Sequence, residues 1–375
     1  MKIVLFANTE WYLYNFRRSL AIALRDSGHD VLLLSPAGPY ADKLQDLGLR
    51  WLPVPMNRRS LNPLREIALL LWLRDLLRRE CVDLVHGFTI KGAVYGSLAA
   101  RLAGVASRIN GIDGLGYVFA SSELKARLLR PLVRGMLRVA LAGKNTRLIL
   151  QNSDDVALFR ENKLVTSSHV RLIPGAGVNC SRYSKGGQRV DGQPLRVLLA
   201  ARLLWDKGLA EYVAAARILR SHNSQFHMLL AGTPDPGNPD SVPEETVREW
   251  VSEGVIDWLG HVGDMAVLLS TVHIVVLPTA YREGLPTSLT EGAACGLPLV
   301  TTDMPGCRDV VTNEVDGLLV PVHDADALAA AISRLADDPV FAGRLGAAAR
   351  NKALAHFDEK IVIERTIAVY EELRS

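Results

Sequence analysis

Four charged residues in the second half of the chain have the types and spacing to hold a large anion. Arg202 and Lys207 sit close together just past an apolar run at 195 to 201, and Glu283 and Glu291 bracket Gly284, Leu285, Pro286 and Thr287 just past another. Gly284 permits close backbone approach. Pro286 suits the first position of a helix, because its missing N–H would have no intrahelical partner there. A helix therefore starts at about 285 to 287, where a strand has just ended. Its free N–H groups and dipole attract an anion, and a diphosphate suits a site of that size. The two carboxylates accept hydrogen bonds from hydroxyls, so they flank the anion with one acid for a sugar and one for a ribose. Two carboxylates also repel a diphosphate, and Arg202 and Lys207 are the cations at hand to offset this without a metal. Either cation alone would be an ordinary surface charge; the combination with the glutamate pair gives them meaning.

The elements that must position these residues follow an alternating rhythm. Strands are predicted near 3–7, 30–34, 82–86, 105–109, 146–150 and 170–173, with helices near 13–27, 63–80, 90–103, 123–143 and 153–161. A second series has strands near 195–201, 226–231, 255–259, 272–277, 297–302 and 317–320. Strands alternating with amphipathic helices build parallel sheets. The expected fold class is α/β, two Rossmann-like doubly wound domains facing a cleft, with ligands beyond the carboxyl ends of the strands. The expected division is 1–183, a polar linker at 184–194, 195–356, and a C-terminal helix at 357–375 returning to the first domain.

The chain has 375 residues, 49% hydrophobic and 22% charged, which fits two folded domains and excludes a disordered chain. Its net charge of +3 conceals an asymmetry: residues 1 to 190 carry a balance of +14 and the remainder −11. A basic half points to an anionic partner. Nucleic acid is disfavoured, since no binding motif or aromatic-interleaved basic platform accompanies the charge. An anionic membrane surface fits better. Arg127, Arg130, Arg134 and Arg138 fall within an arc of roughly 80° on one helix, and Arg58, Arg59, Arg65, Arg74, Arg78 and Arg79 surround a Leu-rich run. Four scattered cysteines, no signal-peptide core and no run of roughly 20 apolar residues lead to the expectation of a cytoplasmic protein peripherally attached to the membrane.

Weaker signals are read conservatively. Asp324 and Asp326 match a metal-binding D-x-D pattern but precede a helical run, so Asp324 reads as a helix cap. His86 at a strand end is read as satisfied by backbone at least as readily as by a ligand, and His273 as core. Lys91, opening a helix, is equally an exposed charge or a contact for acceptor phosphate.

The Glu283/Glu291 segment, its continuation through Pro298 and residues 306 to 311, and the Arg202/Lys207 pair resemble family 4 of the retaining glycosyltransferases with the GT-B fold. The resemblance implies a UDP-sugar donor and no cofactor. Residue by residue, Glu291 would hold the ribose, Glu283 the donor sugar, and Thr287 with its neighbours the phosphates through backbone N–H groups. Arg202 and Lys207 would neutralise those phosphates, and the base would lie at Val262. The stretches at Phe16 and Arg17, 60–63, 111–116 and 233–239 are similar to the branch that extends undecaprenyl-diphosphate-linked saccharides, implying a lipid-linked acceptor, a hexosamine donor, and Arg17, Lys91 and Asp113 on the acceptor side. Two departures stand out: residues 8 to 11 lack the Gly-Gly loop common in the family, and Asp113 occupies a position where many members have His. A nucleotide-sugar epimerase and a non-catalytic nucleotide-sugar binder are the alternatives.

Overall fold

The computed structural model describes residues 1–57, 60, 62–113, 124–183, 186–190, 192–221 and 226–374, with 124–129 described as backbone only. It divides into two compact units, Met1–Gly177 with Lys360–Ser375, and Val178–Glu359.

In the first unit, strands β1 (Lys2–Phe6), β2 (Asp30–Ser35), β3 (Arg50–Pro53), β4 (Leu84–Phe88), β5 (Ser107–Ile112), β6 (Thr146–Leu150) and β7 (Val170–Leu172) form one parallel sheet. Its order is β3-β2-β1-β4-β5-β6-β7. The connecting helices are α1 (Arg18–Asp26), α2 (Ala41–Asp46), α3 (Pro63–Arg79), α4 (Thr89–Ala103), α5 (Leu124–Ala140) and α6 (Ser153–Glu161). The inner strands are apolar on both faces, as a sheet covered on both sides requires. On one face Val4, Phe6, Leu32 and Leu34 pack against Leu69, Leu73 and Leu77 of α3. On the other, Ile3, Leu5 and Leu24 pack against Val362, Val369 and Tyr370 of the last helix, Glu359–Glu371. β4 and β5 begin two residues later than predicted, and β3 was not anticipated: it is a four-residue edge strand ending in proline.

The second unit holds β8 (Leu195–Ala200), β9 (Phe226–Ala231), β10 (Asp257–Gly260), β11 (Ile274–Leu277), β12 (Leu299–Thr302) and β13 (Leu318–Val320), all parallel, in the order β10-β9-β8-β11-β12-β13. Between them run α7 (Leu209–Ser221), α8 (Glu244–Ser252), α9 (Met265–Leu269), α10 (Thr287–Ala294) and α11 (Cys307–Val310). Beyond β13 come α12 (Ala325–Asp337), α13 (Pro339–Lys352) and α14, the final helix. The strand order reverses between β8 and β11, so the loops after those two strands meet at the switch point where such sheets bind ligands.

The chain passes between units at Gly177/Val178 and Glu359/Lys360, where Val178 and Asp358 form a parallel bridge. The passage thus precedes the stretch read as a linker. Gly186 N–H donates to Cys295 O and Gly187 N–H to Val272 O, both at 2.8 Å, tying this segment to the second unit. Ser184, Lys185 and Asp191 lie outside the described residues. Among the described residues, no helix is long and apolar enough to cross a membrane.

Candidate functional site

The site in the second unit is assembled by loops that interlock through their backbones. After β8 the chain makes a tight turn at Trp205–Lys207 and leaves it through Gly208 at φ 78°, where a Cβ would lie 2.1 Å from Pro278 O. Only glycine lets these loops meet. Asp206 O then accepts from Ala280 N at 2.8 Å and from Thr279 Oγ1 at 2.9 Å. This sets Lys207 beside the loop after β11, where its ammonium donates to Glu283 Oε1. Thr279 Oγ1 lies 3.2 Å from the same oxygen, its one hydrogen shared between that carboxylate and Asp206 O. The loop after β12 closes the arrangement, with Pro305 O accepting from Glu283 N at 3.2 Å and Gly306 pressed against the Glu283 and Gly284 carbonyls. Lys207 and Glu283 are each only 11% exposed at their side chains. Lys207, expected on phosphate, is also an ion-pair partner of Glu283, because the loop geometry delivers its ammonium to the carboxylate.

Arg202 remains 58% exposed and meets Asp235 Oδ2 at 2.9 Å. Pro286 is the N-cap of α10 rather than its first residue, and no side chain caps that helix. Thr287 stands exposed at its start, beside half-buried Leu285. Glu291 lies farther along α10, where its Oε1 accepts from Tyr183 Oη at 2.7 Å. Burial pushes the Glu291 carboxyl up to about 7, against the pull of the Tyr183 hydrogen bond and the Arg182 charge. Arg182 reaches Asp264 at 2.9 Å, and Asp264 caps α9, next to half-buried Val262. Of the predicted donor residues, Lys207 and Glu283 thus pair with each other and Glu291 pairs with Tyr183, and α10 begins between the two glutamates in sequence.

A second polar group occupies the carboxyl end of the first unit's sheet. Asp113 follows β5. It accepts from Tyr12 Oη, from Arg17 Nη2 at 3.1 Å and from Gln151 Nε2 at 2.5 Å. Arg17 also donates to Tyr12 Oη at 2.7 Å and lies 4.5 Å from the Phe88 ring centre. Burial raises Asp113 to about 7, opposed by the Gln151 hydrogen bond, and lowers Arg17 to about 10, so the guanidinium stays charged at neutral pH. Residues 114–116 of the same motif lie outside the described residues.

Other expectations need correction. Lys91 does not stand free for phosphate: its three N–H donors reach Asn57 O at 2.7 Å, Ser60 O at 3.2 Å and Glu66 Oε1 at 3.0 Å. His86 is buried within β4 rather than ending it. Its Nδ1 pairs with Tyr370 Oη at 2.6 Å, and burial holds its imidazole well below the ordinary value. His273 is half-buried and structural, accepting from Arg196 N at 2.9 Å and donating to Gln188 O at 3.1 Å. Asp324 caps α12 through Ala327 N at 2.8 Å, as read. Two arginines of α5 have partners in the protein: Arg134 donates to Asn162 Oδ1 at 2.7 Å and the exposed Arg138 to Asn162 O at 3.2 Å, and Leu132 and Val139 face solvent. Arg58, Arg59 and the Arg127 side chain lie outside the described residues.

Tyr12, Gln151, Arg182 and Tyr183 were not singled out in advance, and Asp235 entered only as part of the 233–239 stretch. Tyr12 and Gln151 each follow a strand, which is a usable signal. Tyr183 stood in a polar stretch without periodicity and gave none.

Two Rossmann-like units, each an all-parallel sheet covered by helices, the second with a cation and carboxylate set in its strand-end loops beside a helix start, define a doubly wound two-domain α/β architecture. Residues 2–153 match the family model "Glycosyl transferase 4-like" and residues 194–338 match "Glycosyl transferases group 1". The chain belongs to these glycosyltransferases, as a hexosyltransferase of the GT-B fold. It is 28% identical to N,N'-diacetylbacillosaminyl-diphospho-undecaprenol alpha-1,3-N-acetylgalactosaminyltransferase of Campylobacter jejuni, covering 100% of this chain and 99% of that one. It is 26% identical to UDP-Gal:alpha-D-GlcNAc-diphosphoundecaprenol alpha-1,3-galactosyltransferase of Escherichia coli, over 82% of this chain and 80% of that one. The fold is similar to that of Anabaena HepE in complex with UDP, with a TM-score of 0.78 at 18% identity, covering 99% of this chain and 100% of that one.

Proposed function

We propose that this glycosyltransferase transfers a hexosamine from its UDP derivative to an undecaprenyl-diphosphate-linked saccharide, with retention of configuration and without a metal or other cofactor. The observation that carries the donor side is the Lys207–Glu283 pair held beside the uncapped start of α10, with Glu291 farther along the same helix. An ammonium has three donors. Glu283 takes one, and the others are available to a departing diphosphate. In the reaction the bond from the anomeric carbon to the phosphate oxygen breaks, and the acceptor oxygen bonds to that carbon on the same face. The hydroxyl proton passes to the leaving diphosphate. The protein's contribution is electrostatic: Lys207, Arg202 and the backbone N–H groups at Thr287 stabilise the growing phosphate charge. Glu283 accepts from the sugar hydroxyls and Glu291 from the ribose, while Val262 lies against the base. Asp113, with Arg17, Tyr12 and Gln151, orients the acceptor saccharide.

The acceptor class is supported by the names of the Campylobacter jejuni and Escherichia coli relatives, which differ in donor sugar. Such an acceptor stays in the bilayer, so the enzyme works as a peripheral protein at the cytoplasmic face. The +14 balance of residues 1 to 190 favours an anionic surface. The surface offered is the first half of α3, where Leu64, Ile67 and Leu71 are 78%, 54% and 42% exposed. The deciding experiment measures UDP release from a panel of UDP-sugars, with and without lipid-linked acceptor, in excess chelator. Acceptor-dependent release supports the reading. Conversion of the UDP-sugar without release would establish an epimerase, and binding without either a non-catalytic binder.

A further inference from the structure

We infer that the groove between α3 and the loops after β2 and β3 is a binding site for a single isoprenoid chain, that of the lipid-linked acceptor; the inference rests on the acceptor class proposed above. The groove has a volume of about 550 Å³ and is walled by Pro36, Ala37, Val54, Met56, Leu69 and Trp72. That volume is within the roughly 300–1,000 Å³ of small-molecule sites. It opens at the carboxyl ends of β2 and β3, the same end of the sheet at which Asp113 lies.

Pro55 and Ala68 complete the apolar part of the lining, Asn57, Ser60, Arg65 and Glu66 its polar part, and polar contacts hold the walls in place. Asn62 caps the start of α3 through Leu64 N at 3.0 Å. Lys91 then ties the first turn of α3 to the preceding loop, through Glu66 on one side and the Asn57 and Ser60 carbonyls on the other. The role assigned to Lys91 on sequence grounds therefore passes to the groove it braces. On the outer side of α3, away from Leu69 and Trp72, Leu64, Ile67 and Leu71 are exposed at spacings of three and four residues. This strip is one side chain wide. A mostly apolar groove of about 550 Å³, with a single line of exposed apolar side chains on the same helix, matches a linear hydrocarbon better than a folded partner, whose standard interface takes about 800 Å² per side. Exposed Arg65 also lines the groove and supplies the charge complementary to a phosphate at the head of the chain.

The test uses the full-length protein and a fifteen-carbon isoprenyl phosphate carrying a terminal nitroxide. Binding should quench tryptophan fluorescence. Most of the quench should vanish in Trp72→Phe, and affinity should fall about tenfold in Ala68→Phe, which fills the groove from an exposed position; Ala37→Phe provides a second filling variant. Ethyl phosphate should not compete. In detergent, both filling variants should raise KM for a long-chain acceptor about tenfold and leave kcat, and KM for a single-isoprene acceptor, unchanged. Probe affinity and long-chain KM unaffected by both substitutions would overturn the assignment. So would a loss confined to sedimentation with anionic vesicles, which would make α3 a bilayer contact only. Probe binding that depends on the groove, in a protein that transfers no sugar, would sustain the groove and refute the proposed acceptor instead.

Discussion

Glu291→Gln should make the protein more stable at alkaline pH while weakening its hold on UDP. The carboxyl is raised from its ordinary 4.5 to about 7 by burial. Between those two values the folded protein keeps a proton that the unfolded chain has released, so stability falls as pH rises from 4.5 towards 7, and the whole penalty is present above 7. At 1.36 kcal/mol for each pKa unit the shift corresponds to about 3 kcal/mol, reduced to about 2 kcal/mol because the side chain retains some contact with water. Glutamine keeps the shape and still accepts from Tyr183, but carries no charge to bury. For a unit of this size, the melting temperature at pH 8 should rise by about 4–8 °C; at pH 4 the substituted and parent proteins should melt together. Losing a charged acceptor for the ribose should cost about 1.5–3 kcal/mol of UDP affinity, roughly ten- to a hundredfold by calorimetry at pH 8. Affinity of the parent should increase with pH through about 7, as the carboxylate forms. Equal melting temperatures at pH 8 would refute the burial argument. Undiminished UDP affinity in the substituted protein would refute the ribose assignment.

Lys207→Ala should lower turnover about 10²-fold or more and also destabilise the fold by about 3 kcal/mol, because it leaves the Glu283 carboxylate buried without its ammonium. Arg202→Ala should lower turnover comparably with little change in melting, since its ion pair is exposed; steady-state rates near normal in both variants would remove the diphosphate assignment. Glu283→Gln should reduce turnover of the sugar nucleotide while leaving calorimetric UDP affinity near the parent value. Activity should persist in excess EDTA, and a loss restored by Mn²⁺ or Mg²⁺ would show that the cationic groups of the site are insufficient. Arg134→Ala should lower the melting temperature, through loss of the Asn162 contact, and leave sedimentation with anionic vesicles unchanged.

The parallel sheets and the strand-end loops of the second unit were legible because each strand is a short apolar run and each loop begins with residues unsuited to continue it. Lys207, Glu283 and Glu291 were found for this reason. Their pairings were not: Lys207 and Glu283 are brought together by a glycine-permitted contact between Gly208 and Pro278, which leaves no periodic trace. Tyr183 was overlooked because its stretch has the composition of a linker, although its ring is buried. The α5 arginines show the opposite case. Their spacing is that of a basic face, but spacing identifies which side chains share a side of a helix and says nothing of what that side meets. Here it meets the turn at Asn162 and Lys163, whose oxygens take the arginine hydrogens.

The pairing of Val178 with Asp358 makes the second unit an insertion in the first, and this fixes an order of events during synthesis. The 178–359 stretch contains all its own strands and can close its core while the ribosome is still extending the chain. The first unit cannot, although most of it emerges earlier: one face of its sheet lacks Val362, Val369 and Tyr370 until α14 is made. Ile3, Leu5 and Leu24 lack those partners until the whole second unit has been translated, and that face stays only partly covered in the meantime. The half that emerges first is thus the half that matures last, and its partly open sheet face is the nascent chain's point of exposure to aggregation.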